Sequence, residues 1–161
     1  MDRVLAVNSA MINYYRNDPK RMFHFTKVHA LCRYIGMCER IDEATAEILE
    51  IAALTHDIGI KNSEIKYQSA AGNYQQTEGP PEAEALLKTL GIPSEIMDRV
   101  SYLIAHHHTY KEIDGIDYQI LIEADFLVNA YEEGLKSAQI ESMRKLFRTE
   151  TGLMLLGALY S

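Results

Sequence analysis

Leu54-Thr55-His56-Asp57-Ile58-Gly59-Ile60-Lys61 is an apolar run closed by a histidine, an aspartate and a glycine in succession. Upstream, Asp42 is placed to cap a helix on which Ala46, Leu49, Ala53 and His56 recur at steps of three and four. The spacing predicts that His56 and Asp57 close a buried helix at its C-terminal end. Imidazole nitrogen beside carboxylate oxygen suits a first-row divalent cation, so the rest of the chain is read for side chains that would join the pair.

At 161 residues the chain suits one domain, long enough to bury roughly two thirds of its unfolded surface in a single core. Cys32 and Cys38 are too few and too close for a disulfide framework or a four-ligand zinc site, and read as buried thiols in a reducing compartment. No signal sequence opens the chain, and the longest apolar run, near Gly152 to Tyr160, is about half the ~20 residues of a membrane helix. A soluble, cytoplasmic protein is expected. With 16 basic and 23 acidic residues the net charge is -7 and no basic cluster interrupts it, which argues against duplex nucleic acid as a partner. Nothing decides between a monomer and a homo-oligomer.

The periodicity is that of an all-α protein. A helix over 2–16 carries Val4, Leu5, Met11, Ile12 and Tyr15, and ends at Asn17-Asp18-Pro19. The next, over 20–37, places His24, Val28, Leu31 and Ile35 on one face. After the helix ending in His56 and Asp57, residues 58–79 mix turn formers with polar groups and read as a long functional loop. Pro80-Pro81 is read as the start of a helix to Leu90, and Ser94 as the cap of another that runs through Val100 and Ile104 into His106-His107-His108. A helix over 117–133 carries Asp125 among Leu121, Ile122, Phe126 and Val128, and two shorter helices, 137–148 and 150–159, finish the chain.

The candidate metal ligands are His24, His56, Asp57, Glu78, His107 or His108, and Asp125. His24 is preferred to His29 because it shares the apolar face with Val28, Leu31 and Ile35, whereas His29 is turned towards Arg33. Asp125 is singled out because a carboxylate among apolar neighbours is costly to bury without a partner or a metal.

His24 and Val28 on one helix, Leu54-x-His56-Asp57-Ile58-Gly59, and a late aspartate at Asp125 together resemble the HD-domain metal-dependent phosphohydrolases over residues 20–133. The resemblance implies a compact multi-helix bundle with the metal site in its core, forming one domain over 1–161. It implies one divalent ion on His24, His56, Asp57 and Asp125, with Mn, Fe, Mg, Co or Zn as candidates. A binuclear branch adds a second ion, bridged by the doublet aspartate and held by two more histidines. One of these follows Ile-x-x-His, here Ile104 to His107, with His108 beside it. The other opens a helix as His-x-Pro-x-Gly-Ala, where this chain reads Glu78-Gly79-Pro80-Pro81-Glu82-Ala83. Glu78 is thus either a ligand or a carboxylate favoured by a helix N-terminus. Ile60 stands where many members carry lysine, and Lys61 follows it.

The implied activity is hydrolysis of a small phosphorylated substrate, a nucleotide or a related metabolite, by metal-activated water. Asp57 is the orienting carboxylate, and His107 or His108 a second-metal ligand or the acid for the leaving group. Lys61, Lys66 and Lys111 are either cations for the phosphate or solvated surface charges. Tyr67, Tyr74 and Tyr110 either stack on a base or belong to the core and its boundary. A phosphodiesterase acting on cyclic or oligonucleotide bonds, and a non-catalytic metal- or nucleotide-binding module, are the alternatives.

Overall fold

Three aspartates start the first three helices. Asp2, Asp18 and Asp42 accept hydrogen bonds from the amides of Leu5, Arg21 and Thr45, and Pro19 follows the second of them at the first helical position. The computed structural model describes residues 2–160, and among these there are nine helices and no strand. They are α1 (Arg3–Tyr14), α2 (Pro19–Cys38), α3 (Glu43–Thr55), α4 (Ile60–Tyr67), α5 (Gly72–Thr89), α6 (Ser94–His106), α7 (Ile116–Glu132), α8 (Ser137–Arg144) and α9 (Glu150–Tyr160). The all-α expectation holds. No helix among the described residues is long and apolar enough to cross a membrane.

Helix α7 is the axis of the fold. Every residue from Asp117 to Val128 is buried, as expected of a helix covered on all sides. It packs against α2 and α3, α1 lies over α3, and α6 joins α3 to an α5–α6 hairpin. Val28, Ile35, Ile51, Leu103, Ile104, Ile120 and Leu121 have no exposed surface at all. Each such aliphatic chain contributes roughly 1.5–3 kcal/mol on leaving water. The polar residues of α7 are buried in company: Asp117 with Arg99, Gln119 and Glu123 with each other, Asp125 with Asn129.

Several local expectations change. Residues 58–79 are not a long loop: α4 and the first two turns of α5 occupy most of them. Pro80-Pro81 lies inside α5 rather than at its start, so the carbonyls of Gln76 and Thr77 lose their usual amide partners while the helix continues. Gly79 serves close packing, not a turn. A Cβ there would fall 2.5 Å from Ile104 Cγ2, and a Cβ on Gly59 would fall 2.6 Å from the Gly79 nitrogen. Two glycines thus let α5 slide between the turn at 56–59 and α6. Ser94 is the first residue of α6 and Pro93 holds the cap position without a side-chain bond. Helix α8 stops at Arg144 because the next segment turns to present the amides of Arg148 and Thr149 to Glu123. Both cysteines are free, and Cys38 is exposed at the end of α2 rather than buried.

Candidate metal centre

Helix α3 ends at Thr55, and a tight turn carries the next four residues. The Ile58 amide donates to the Thr55 carbonyl and the Ile60 amide to the Asp57 carbonyl, each at 3.0 Å. The Tyr15 hydroxyl of the first interhelical segment donates to the same Asp57 carbonyl at 2.9 Å. With Gly59 pressed on α5, this turn has little room to move, and it aims His56 and Asp57 at α2 and α7.

Four side chains meet there. His24 Nε2 lies 3.2 Å from His56 Nε2, from Asp57 Oδ2 and from Asp125 Oδ1. His56 Nε2 lies 3.4 Å from Asp57 Oδ2 and 3.3 Å from Asp125 Oδ1. Ligand atoms about 2.0 Å from a tetrahedral ion stand about 3.3 Å apart, so the spacing of this set of two nitrogens and two oxygens suits a cation. The tautomers agree. His24 Nδ1 faces Glu132 Oε2 at 2.7 Å and His56 Nδ1 faces the Ala53 carbonyl at 2.8 Å. Both partners only accept, so each Nδ1 carries the hydrogen, and in the neutral rings two Nε2 lone pairs confront each other across 3.2 Å. Either protons or a cation must separate them.

A second group shares Asp57. His107 is fully buried, donates from Nδ1 to the Ile104 carbonyl at 2.8 Å, and leaves Nε2 without a hydrogen-bond partner 3.4 Å from Asp57 Oδ1. His108 completes a cluster whose ligand atoms all lie within 4.8 Å of one another. Its ring is held by Gln75 Oε1 at 3.0 Å from Nε2, and its amide by Gln76 Oε1 at 3.1 Å. His106 turns away, stacked on Tyr102 with its Nδ1 on the Tyr102 carbonyl.

Glu78 is not brought to this cluster. It lies in the interior of α5, where the Lys66 ammonium (2.7 Å) and the Tyr67 hydroxyl (3.0 Å) take its two oxygens, so neither ligation nor an N-terminal position describes it here. Lys66, against burial and with help from Tyr67, holds the Glu78 carboxyl below its ordinary range.

The remaining expected residues fall around the centre rather than in it. A cleft of about 250 Å³ opens over His24 and Asp57 and is lined by Lys20, Arg21, Gln75, His108, Asn129 and Glu132, among others. Lys61 lies instead over the Tyr14 ring, 5.0 Å from its centroid, in a neighbouring hollow. Tyr67 stacks on Tyr74 at 4.2 Å, while Lys111 and Tyr110 are exposed between α6 and α7. The cations at the cleft are thus Lys20 and Arg21, which the sequence reading passed over. Asn129 and Glu132 were also missed, although they follow Asp125 by four and seven positions, the spacing that keeps residues on one helical face.

The electrostatics couple these groups. Burial disfavours the imidazolium of His24, but the hydrogen bonds it donates to Asp125 and Asp57 outweigh it and push the ring up to about 11. His56 is also raised, burial being overcome by the charges of Asp57 and Asp125. Asp57 and Asp125 are driven down in return, because the surrounding histidines more than offset their burial. His108 moves the other way, pushed down to about 4 by burial and then by the neighbouring charge of His107.

Among sequence families, the HD domain matches residues 21–142. Among solved structures, the fold is similar to the crystal structure of a predicted HD superfamily hydrolase from an uncultured Thermotogales bacterium. That likeness has 24% identity and a TM-score of 0.71, and covers 96% of this chain and 83% of that one. No curated protein matches the sequence.

Proposed function

The chain belongs to the HD-domain family, and on that premise we propose that it is a metal-dependent phosphohydrolase cleaving a phosphoester or phosphoanhydride of a nucleotide or related small metabolite. The observation that carries this proposal is the use of one carboxylate in two directions. Asp57 presents Oδ2 to His24 and His56 and Oδ1 to His107, whose Nε2 is buried and unpartnered. A fold shared with a predicted HD superfamily hydrolase supports hydrolysis as the reaction class.

In this proposal His24, His56, Asp57 and Asp125 hold one divalent ion, of Mn, Fe, Mg, Co or Zn, and Asp57 with His107 and His108 holds a second. Such an ion supplies Lewis acidity, which acidifies water and offsets phosphoryl charge. The protein's own part is orientation and proton handling. Lys20 and Arg21 meet the substrate's phosphate at the rim, Arg21 being steadied by Asp18 and Glu64. His108, neutral and with its Nε2 hydrogen given to Gln75, turns its one remaining lone pair, on Nδ1, to that second ion and has no proton to deliver to a leaving group. The cleft volume favours a compact phosphoester over an oligonucleotide. A single domain working in the cytoplasm fits the free thiols of Cys32 and Cys38.

The test is metal analysis of protein purified without chelator, then a phosphatase and phosphodiesterase screen with Mn, Fe, Co and Mg. At least one ion per chain is expected, with activity abolished in Asp57→Ala. A metal-free wild type whose activity survives Asp57→Ala overturns the proposal.

A further inference from the structure

Three of the inward-facing histidines differ in how their outer nitrogen is held. His56 and His107 each use a backbone carbonyl three residues earlier, Ala53 and Ile104, which comes with the helix itself. His24 lies in the second turn of α2, and its Nδ1 points across to α7, where Glu132 Oε2 lies 2.7 Å away. The other oxygen of Glu132 is 2.6 Å from Lys27 Nζ, one turn beyond His24 on α2. Both oxygens are therefore occupied, and Glu132 reaches the centre only through His24. A carboxylate on the outer nitrogen fixes a ring's rotation and tautomer and strengthens its inner nitrogen as a donor. Lys27 supplies the countercharge that keeps the half-buried carboxylate ionised.

We propose that Glu132 is a positioning residue of the metal centre, fixing through its hydrogen bond to Nδ1 the direction in which His24 presents Nε2 to the ion. The inference rests on the metal-centre reading given above. It gives α7 two duties on one face: Asp125 as a ligand and, two turns later, Glu132 as the support for a ligand on another helix.

Zinc and manganese affinities of the chelator-stripped protein, read by calorimetry in wild type, Glu132→Ala and Glu132→Gln, test it together with the ring N–H resonances of ¹⁵N-histidine-labelled protein without metal. Glu132→Ala is expected to bind ten- to a hundredfold more weakly at unchanged stoichiometry and to lose the exchange-protected His24 Nδ1–H resonance. Glu132→Gln keeps an acceptor oxygen without the charge and is expected to fall between Ala and wild type on affinity while retaining the resonance. Wild-type affinity in Glu132→Ala overturns the proposal, as does a retained resonance there, or equal losses in both variants accompanied by a fall in melting temperature. If the wild type binds neither ion, the metal reading fails, and the resonance still decides whether Glu132 positions His24.

Discussion

His24 Nε2 and His56 Nε2 stand 3.2 Å apart in the core, and each ring already donates from its opposite nitrogen. Without a cation the pair is tolerable only if protons fill the gap, which is why Asp57 and Asp125 raise both rings. Two imidazolium ions and two carboxylates carry the same net charge as two imidazoles, two carboxylates and one divalent ion. Metal binding is thus an exchange of protons for an ion, and it has a pH signature. Near pH 7.5 about one proton, that of His24, should be released per ion, read by calorimetry in buffers of differing ionisation enthalpy. No release would show that the rings are neutral in the metal-free protein.

Stability follows from the same shifts. His24 is raised from 6.5 to about 11, so its stabilisation of the metal-free protein is complete below about pH 6.5 and is lost as pH rises towards 11. Asp57 and Asp125 are lowered, so theirs is present above about pH 4 and is lost as pH falls through their folded-state values. His108 is lowered to about 4, so its contribution is complete above about pH 6.5 and is lost as pH falls towards 4, and the metal-free melting temperature should therefore peak near pH 6.5. Added metal should raise it more at pH 8.5 than at pH 6, and an equal gain at both would contradict the coupling.

Gly59→Ala tests the packing of the metal-bearing turn. The new Cβ would meet the Gly79 nitrogen at 2.6 Å and the Gln75 carbonyl oxygen at 2.7 Å, both backbone atoms with no rotamer to yield. A loss of about 1–3 kcal/mol is expected, with weaker metal binding because Asp57 shifts with the turn. Gly157→Ala in α9 is the control, since nothing lies within 4 Å of its Cβ, and it should gain roughly 0.5–1 kcal/mol. Urea unfolding of both variants decides the matter.

Glu78→Ala separates ligation from pairing. Because Lys66 and Tyr67 occupy its oxygens, metal content should be unchanged and only a small drop in melting temperature should appear. A count falling by one ion per chain would mean that Glu78 swings inward when metal binds.

Glu123 lies fully buried beneath the start of α9, accepting from the Gln119 amide, the Arg148 and Thr149 backbone amides and the Thr149 hydroxyl. Glu123→Ala would orphan all of these donors, each at roughly 1–3 kcal/mol, so a loss of at least about 3 kcal/mol is expected. A loss under about 1 kcal/mol would show that water replaces the carboxylate.

What the sequence discloses here is periodicity. His24 stands out because it shares a stripe with Val28 and Ile35, and Asp125 because it breaks one, and the helices on which they lie are legible for the same reason. Glycine and proline mislead over 58–81, because Gly59 and Gly79 are there for close approach and Pro80-Pro81 is carried within α5. Which surface acid stands behind His24 is a matter of tertiary contact across 108 residues, and nothing local marks Glu132. The cleft cations were missed for a similar reason: Lys20 and Arg21 look like any solvated pair until α7 is laid beside α2.

The donors of the centre run from His24 to Asp125, so no short segment of the chain owns a site. An ion bound to His56 and Asp57 alone would have two ligands, and the other two arrive only when α2 and α7 have docked on α3. Closing so long a loop costs chain entropy before any contact rewards it, which makes the centre a product of assembly rather than its seed. During synthesis, a nascent chain that has not yet extruded α7 lacks Asp125 and Glu132, so the proposed four-ligand set would be complete only in the finished bundle.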